Sequence, residues 1–266
     1  MTFLQKLKWP LYQIRLWGRQ VFSSGGSTKL TTLTVAHDQD YDAYWELKRK
    51  MGAGELSTWQ RCRAEIVLSM LQKIPEPIAI GDVGCGDGVI AKYLMNHRPI
   101  SRAVGYDNSR FILGEAEKLG LETVFFDLNS PSYASEFQML DIHLFLEVLE
   151  HIPHSERALT AAMEHSRRGV IFSVPNTGFF TYRLRLLFGK FPMQWALMPN
   201  EHLRFWTIAD VKWWLSALGY TDYTICPYFG VPVLNRVWPN LFSAGMVVWV
   251  RPSLVPREVS VMGTAN

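Results

Sequence analysis

Asp82-Val-Gly-Cys-Gly-Asp-Gly88 is the stretch that decides how this chain folds. The apolar run Ile78-Ala-Ile80 before it reads as a strand, and Val89 to Asn96 after it reads as a helix. Three glycines at alternate positions let the backbone turn sharply and leave the loop open to a nucleoside.

The two aspartates select among nucleosides. Gly86-x-Gly88-x-x-Ala91 formally satisfies the fingerprint of dinucleotide-binding folds. A dinucleotide carries a pyrophosphate, which seeks helix N-terminal N–H groups and no anion close by. Asp82 and Asp87 flank the loop and would repel it. They favour a ligand with cationic groups and no phosphate, and S-adenosylmethionine (SAM), with its ammonium and sulfonium, is one. A nicotinamide-dependent oxidoreductase is the rival reading of the glycines.

Further strands carry further acids. Ala103-Val-Gly-Tyr-Asp107 reads as a second strand ending in a carboxylate about 20 residues beyond the glycines, where a βαβ unit holds ribose hydroxyls. Leu121 to Leu128 reads as a third strand, with Asp127 suited to an adenine amino group. Asp141 to Leu146 and Val170 to Val174 read as the fourth and fifth. Aspartate is common in turns for purely local reasons. Three acids in register after three consecutive strands argue for a site instead.

Asp82-Val-Gly-Cys-Gly-Asp-Gly88, Gly105-Tyr-Asp107, Phe126-Asp-Leu128 and Leu146-Glu-Val-Leu-Glu-His-Ile-Pro153 together resemble, in order and spacing, the class I SAM-dependent methyltransferases. The resemblance covers residues 55 to 250. It implies a Rossmann-like, doubly wound α/β fold with a seven-stranded, mostly parallel sheet whose last strand is antiparallel. It also implies that Asp82, Gly84, Cys85, Gly86 and Gly88 cradle the methionine end of SAM, with Leu146 beside them. Asp107 would hold the ribose, and Asp127 with Leu128 the adenine. The Glu147-Val-Leu-Glu-His-Ile-Pro153 segment is similar to the branch containing ubiquinone-biosynthesis and glycan-cluster O-methyltransferases. Val174 to Pro192 is more like MetW-type proteins of methionine biosynthesis, which implies an alternative role as a SAM-binding partner of an acyltransferase, without turnover. The chain departs from that second pattern in its Glu-Val-Leu-Glu-His segment and its N-terminal extension.

The 266 residues, 48% hydrophobic, suffice for one α/β domain with appendages. No apolar run approaches the ~18–20 residues of a membrane span. A formal charge of +3 is too small to argue for nucleic acid. Cys62, Cys85 and Cys226 are odd in number and far apart, without disulfide or zinc spacing, which points to reduced thiols in the cytoplasm. Residues 1–54 read as an N-terminal extension: an amphipathic segment to Phe22, a Gly/Ser linker at 23–28, and a short helix from Tyr41 to Met51. Lys6, Lys8, Arg15 and Arg19 interrupt any signal-peptide core. Residues 55–251 form the SAM-binding domain, beginning with a helix of spacing Leu56, Trp59, Arg63, Ile66, Met70, Ile74, and carrying a lid insertion after strand 5 at about 176–206. A helix from Ile208 to Leu218 and strands at Tyr220–Pro227 and Ala244–Arg251 complete it, and 252–266 reads as a disordered tail.

Methyl transfer from a sulfonium is an in-line displacement in which the protein aligns the acceptor, worth roughly 7–11 kcal/mol, and shields the site. A hydroxyl acceptor also needs a base, which adds ~10²–10⁴-fold. Glu147, Glu150 and His151 are spaced i, i+3, i+4 and would share a face if helical. His202, in Asn200-Glu-His-Leu-Arg-Phe-Trp-Thr207, resembles the histidine this family returns to the acceptor side. His151 and His202 are therefore the acid–base candidates, with Glu147 orienting substrate or cofactor. Glu150 equally suits a helix N-terminal turn. Glu147, Glu150, His151 and His202 are also candidate ligands for Mg²⁺ or Mn²⁺, as similar segments are in small-RNA 2′-O-methyltransferases.

Two acid-free, aromatic, basic stretches complete the reading, the N-terminus through His37 and His165 to Asn200. The second is expected to pack as a lid, apolar side down and basic side solvated. Residues 1–22 suit peripheral contact with an inner membrane surface. Aromatic–basic interleaving can also bind single-stranded nucleic acid, but no recognised RNA module appears, and the expected acceptor is a small molecule or a glycan- or lipid-linked one.

Overall fold

The computed structural model describes residues 41–42, 45–46, 54–192 and 202–252. The amphipathic segment at 1–22, the linker, most of the expected 41–51 helix and the tail beyond 252 lie outside them.

Seven strands form one sheet in the order β3-β2-β1-β4-β5-β7-β6. They are β1 Ile78–Val83, β2 Ile100–Asp107, β3 Glu122–Phe125, β4 Ile142–Leu146, β5 Val170–Pro175, β6 Tyr223–Tyr228 and β7 Gly245–Val250. The first five run parallel. β7 inserts antiparallel between β5 and β6, as the sequence resemblance implied.

The inner strands β1, β4, β5 and β7 bury both faces, so their side chains divide by the two-residue pleat, while the edge strands β3 and β6 are more open. Ile142, Leu144 and Leu146 of β4 face one layer, while Phe145 faces the other. The first layer is covered by helices α1 (Thr58–Leu71), α2 (Val89–His97) and α3 (Arg110–Lys118). The second is covered by α4 (Ser155–Glu164) and α6 (Ile208–Ala217). Ser57 starts α1 with a capping box closed by Gln60. Arg98, buried at the end of α2, donates to the carbonyls of Leu71, Ile74 and Glu76 and so fixes the chain leaving α1.

Three elements depart from expectation. β3 stops at Phe125 because it is an edge strand paired with β2 only over Glu122–Phe125. Asp127 falls in the turn beyond, its carboxylate accepting from the Asn129 N–H at 2.9 Å. Residues 234–242, unassigned in the sequence, form two short helices, α7 (Leu234–Val237) and α8 (Pro239–Phe242). The segment after β5 carries α5 (Phe180–Leu187), whose polarity differs from that expected of the lid, and residues 193–201 of that expected lid lie outside the described ones. Phe179 and Tyr182 pack inward, but Arg185 is buried while Leu186, Leu187 and Phe188 face solvent.

Candidate active site

Strand order reverses between β1 and β4, and ligands of open α/β sheets bind outside the carboxyl ends of strands at such a point. A cavity of about 370 Å³ opens there. Gly84 and Gly86 hold the glycine loop in left-handed backbone, at φ 67° and 53°. A Cβ at Gly84 would meet Val148 at 2.6 Å, and one at Gly86 the Trp45 ring at 2.7 Å. The loop is pinned to β2 from beneath, since the Gly84 and Cys85 N–H groups both donate to the Tyr106 carbonyl. Asp107 pins it from the side, accepting from Gly86 N at 3.0 Å while its other oxygen accepts from Ser109 N at 3.0 Å.

The cavity is rich in acids. Burial, followed by the proximity of Asp107 and Asp87, pushes the Asp82 carboxyl up to about 7. Burial raises Asp107 to about 6 against three backbone hydrogen bonds that favour its ionised form. Among the described residues lining the cavity, Arg63 of α1 is the single Lys or Arg. It lies 3.7 Å from the Glu147 carboxylate, and its Nε has no hydrogen-bond partner. Burial works against its charge, but Glu147 and Tyr228 outweigh that and hold it firmly cationic. The sequence pattern placed Arg63 on an otherwise apolar helix face without giving it a role; its oddity there was the available signal. The helical residues Tyr41 and Trp45 also line the cavity, and Asp42 ties them down by accepting from Ser109 Oγ and from Phe111 N at 3.1 Å.

Glu147 and Glu150 do not share a face. Glu147 is left-handed at φ 62°, and only Leu149–His151 forms a single 3₁₀ turn. The Glu147 carboxylate turns toward β5 and β6, accepting from Ser173 Oγ at 2.8 Å and Tyr228 OH at 3.1 Å. Glu150 turns the other way. It is fully buried, and neither carboxylate oxygen has a hydrogen-bond partner. His151 Nε2 lies 4.0 Å from it, and His202 packs edge-on to His151 with centroids 4.7 Å apart. One ligand atom from each of Glu150, His151 and His202 lies within 4.8 Å of the others. Burial, with Glu147 adding, raises the Glu150 carboxyl well above its usual range. Burial and His151 lower His202 to about 3. His202 reaches the cluster because Leu203 N and Arg204 N both donate to the Glu150 carbonyl, at 2.8 and 3.1 Å. The Arg204 guanidinium then grips both oxygens of Glu156 on α4.

The remaining sequence candidates Cys85, Asp127, Leu128 and Leu146 also line the cavity, whereas Gly88 does not line it and instead, in left-handed backbone at φ 74°, caps the start of α2. Burial and the neighbouring Asp107 and Asp82 push the Cys85 thiol well up, so it serves as a small neutral filler against Gly105. His154 is exposed and does not line the cavity.

A raised acid makes the stability of this pocket pH-sensitive. In the unfolded chain Asp82 ionises near 3.8, in the folded protein near 7, so its destabilising contribution grows as pH rises from 4 to 7 and is complete above 7. Asp82→Asn is therefore expected to stabilise the ligand-free protein at pH 8 by roughly 2–4 kcal/mol, with the gain vanishing near pH 4. Urea unfolding across that pH range measures it; a gain of the same size at every pH would contradict the assignment.

A family model described as a methyltransferase domain matches residues 57–225. The ubiquinone biosynthesis O-methyltransferase of Candida albicans is 24% identical over 149 residues, 52% of this chain and 45% of that protein. The release factor glutamine methyltransferase of Mycobacterium leprae is 27% identical over 153 residues, 53% and 52% of the two chains. This chain thus spans about half the length of those relatives. The trans-aconitate 2-methyltransferase of Variovorax paradoxus is 26% identical over 185 residues, 67% of this chain and 68% of that one. Among solved structures, the magnesium protoporphyrin IX methyltransferase of Synechocystis with bound S-adenosylhomocysteine shares the fold, with TM-score 0.52, 17% identity and 79% and 94% coverage. With the glycine loop, the acid-lined switch point and a family model over more than half its length, this chain belongs to the SAM-dependent methyltransferases.

Proposed function

We propose that the protein methylates a hydroxyl group, on a small-molecule, glycan or lipid-linked acceptor, with the acceptor's proton taken at the Glu150–His151–His202 cluster. The buried Glu150 carboxylate, without a hydrogen-bond partner and facing two imidazoles, carries this reading. Burying a carboxyl unpaired is costly and calls for a proton or cation to complete it. His202, lowered to about 3, stays neutral and orients its neighbour, which leaves the half-buried His151 as the base. The C. albicans relative is named as an O-methyltransferase, which agrees with a hydroxyl acceptor.

SAM fits the acid-rich side of the cavity. Asp107 would accept from its ribose, Asp127 and Leu128 would meet its adenine, and Glu147 and Arg63 would bracket its amino-acid end. Glu147 offers a carboxylate to the ammonium, and Arg63 a charged donor to the carboxylate. SAM bound there would supply an activated methyl for in-line displacement, with a neutral thioether as leaving group, and Trp45 and Tyr41 would shield the loop.

The same Glu150 observation favours a second reading. One carboxylate oxygen and two imidazole nitrogens are a donor set that divalent transition ions accept, and Glu150, His151 and His202 would hold such an ion. It would supply a lowered pKa to a bound acceptor hydroxyl.

Two measurements check these assignments. Arg63→Gln is expected to weaken S-adenosylhomocysteine binding by about 10–100-fold while leaving 5′-methylthioadenosine, which lacks the amino-acid end, unchanged in calorimetry. Equal losses for both ligands would remove the bracket. His151→Gln is expected to lower kcat for a phenolic or glycan hydroxyl acceptor by about 10²–10⁴-fold with cofactor affinity retained. Activity that survives chelator points to His151 as the base, and activity restored only by Mn²⁺ or Mg²⁺ points to the ion. A turnover untouched by the substitution would sink both.

A further inference from the structure

Exposed large apolar side chains are unevenly distributed over the described residues. They concentrate on two projections, the C-terminal half of α5 with the turn after it, and α7 with the residues capping it. Leu187, Phe188 and Phe191 stand out on the first, and Val233, Val237 and Trp238 on the second. Leu187 is 76% exposed and Val237 75%, values that scattered surface residues rarely need explained but that a cluster does. The two projections are joined at their bases. The Asn176 side-chain amide donates to the Ser243 carbonyl at 2.6 Å, and the Phe180 and Phe242 rings lie 6.1 Å apart.

Polarity on α5 is inverted for a helix facing water. Arg185 is 4% exposed and turns its Nε to the Phe191 carbonyl at 2.9 Å, while leucines point outward. The charge pattern is one-sided as well. No Asp or Glu occurs from 176 to 192 or from 229 to 244. Arg183 and Arg236 are exposed, and neither pairs with a carboxylate among the described residues. A second copy of the same face would set cation against cation, which disfavours self-association through it. Aromatic and aliphatic tips among unpaired arginines match instead the boundary of an anionic bilayer, where rings enter the headgroup region and cations meet lipid phosphate.

We infer that this face, formed by the end of α5 and by α7–α8, docks on an anionic lipid bilayer. No helix among the described residues is long and apolar enough to cross a membrane. The face also leads to the active site. Phe191 packs on Phe205 with centroids 5.2 Å apart, and Phe205 lies 6.4 Å from His202, which lines the cavity beside Leu203. Docking would set the acceptor end of the cavity close to the lipid surface, suiting an acceptor carried in the bilayer.

The test is sedimentation of the full chain with phosphatidylcholine vesicles, with and without phosphatidylglycerol. The variants are Leu187→Glu with Phe188→Glu, Val237→Glu with Trp238→Glu, and Arg183→Glu with Arg236→Glu. Residues 1–22 are intact in all of them, so any contribution of that basic segment is held constant. Wild-type protein is expected to favour the anionic vesicles, and each pair of substitutions to lower its partition by about tenfold or more. Cooperative thermal unfolding like that of the wild type shows that the variants are folded, and does so whether or not the methyl-transfer reading holds. Partition unchanged in all three variants would overturn the inference. So would a wild-type dimer in sedimentation velocity that the same substitutions dissolve, since the face would then join two copies.

Discussion

The carboxylate of Asp107 is the constraint on which the site depends. It ends β2 and accepts from Gly86 on the neighbouring loop and from Ser109 at the start of α3. Those two bonds tie the β1–α2 turn to the β2–α3 turn, and Ser109 extends the tie by donating to Asp42 beneath the helical residues that carry Trp45. The glycine loop, the second strand and the N-terminal cover therefore meet at one buried anion. Keeping it ionised while buried is unfavourable, and a hydroxyl-bearing, cationic nucleoside would answer that imbalance.

The Glu150–His151–His202 cluster is built by one departure from regular backbone. After β4 the chain enters left-handed φ at Glu147, a conformation that costs a non-glycine residue of order 1–3 kcal/mol. The reversal throws Glu147 toward Ser173, Tyr228 and Arg63 and frees Glu150 to turn toward His151 and His202. One carboxylate thus meets Arg63 and the other faces the two imidazoles. The strain is held by hydrogen bonds on one flank and by the Glu150 carbonyl contacts on the other.

The legibility of the sequence follows the same physics. Local features read well: the alternating glycines, Asp107 at the end of its strand and a helix from Ile208 all appear where the sequence put them, because each depends on a few neighbouring residues, while Asp127 falls in a turn past the end of β3. The i, i+3, i+4 spacing of Glu147, Glu150 and His151 pointed to one helical face, and the left-handed residue dissolved it. No single-sequence signal marks a positive φ at glutamate. Arg63 interrupted an apolar helix stripe, and its partners Glu147 and Tyr228 lie 84 and 165 positions away, so only the folded chain explains it. The stretch after β5 read as a basic, aromatic lid. Its composition was legible, but which side faced solvent was set by Arg185 turning inward.

The central claim is that an acid-lined switch point binds the adenosyl-amino-acid cofactor of this family. Calorimetric titration of S-adenosylhomocysteine into the purified protein, with Asp107→Ala alongside and NAD as competitor, tests it most directly. The account predicts micromolar binding to the wild type, loss of at least about tenfold in the variant, and no displacement by NAD. Displacement by NAD, or binding indifferent to Asp107 in a folded variant, would contradict it.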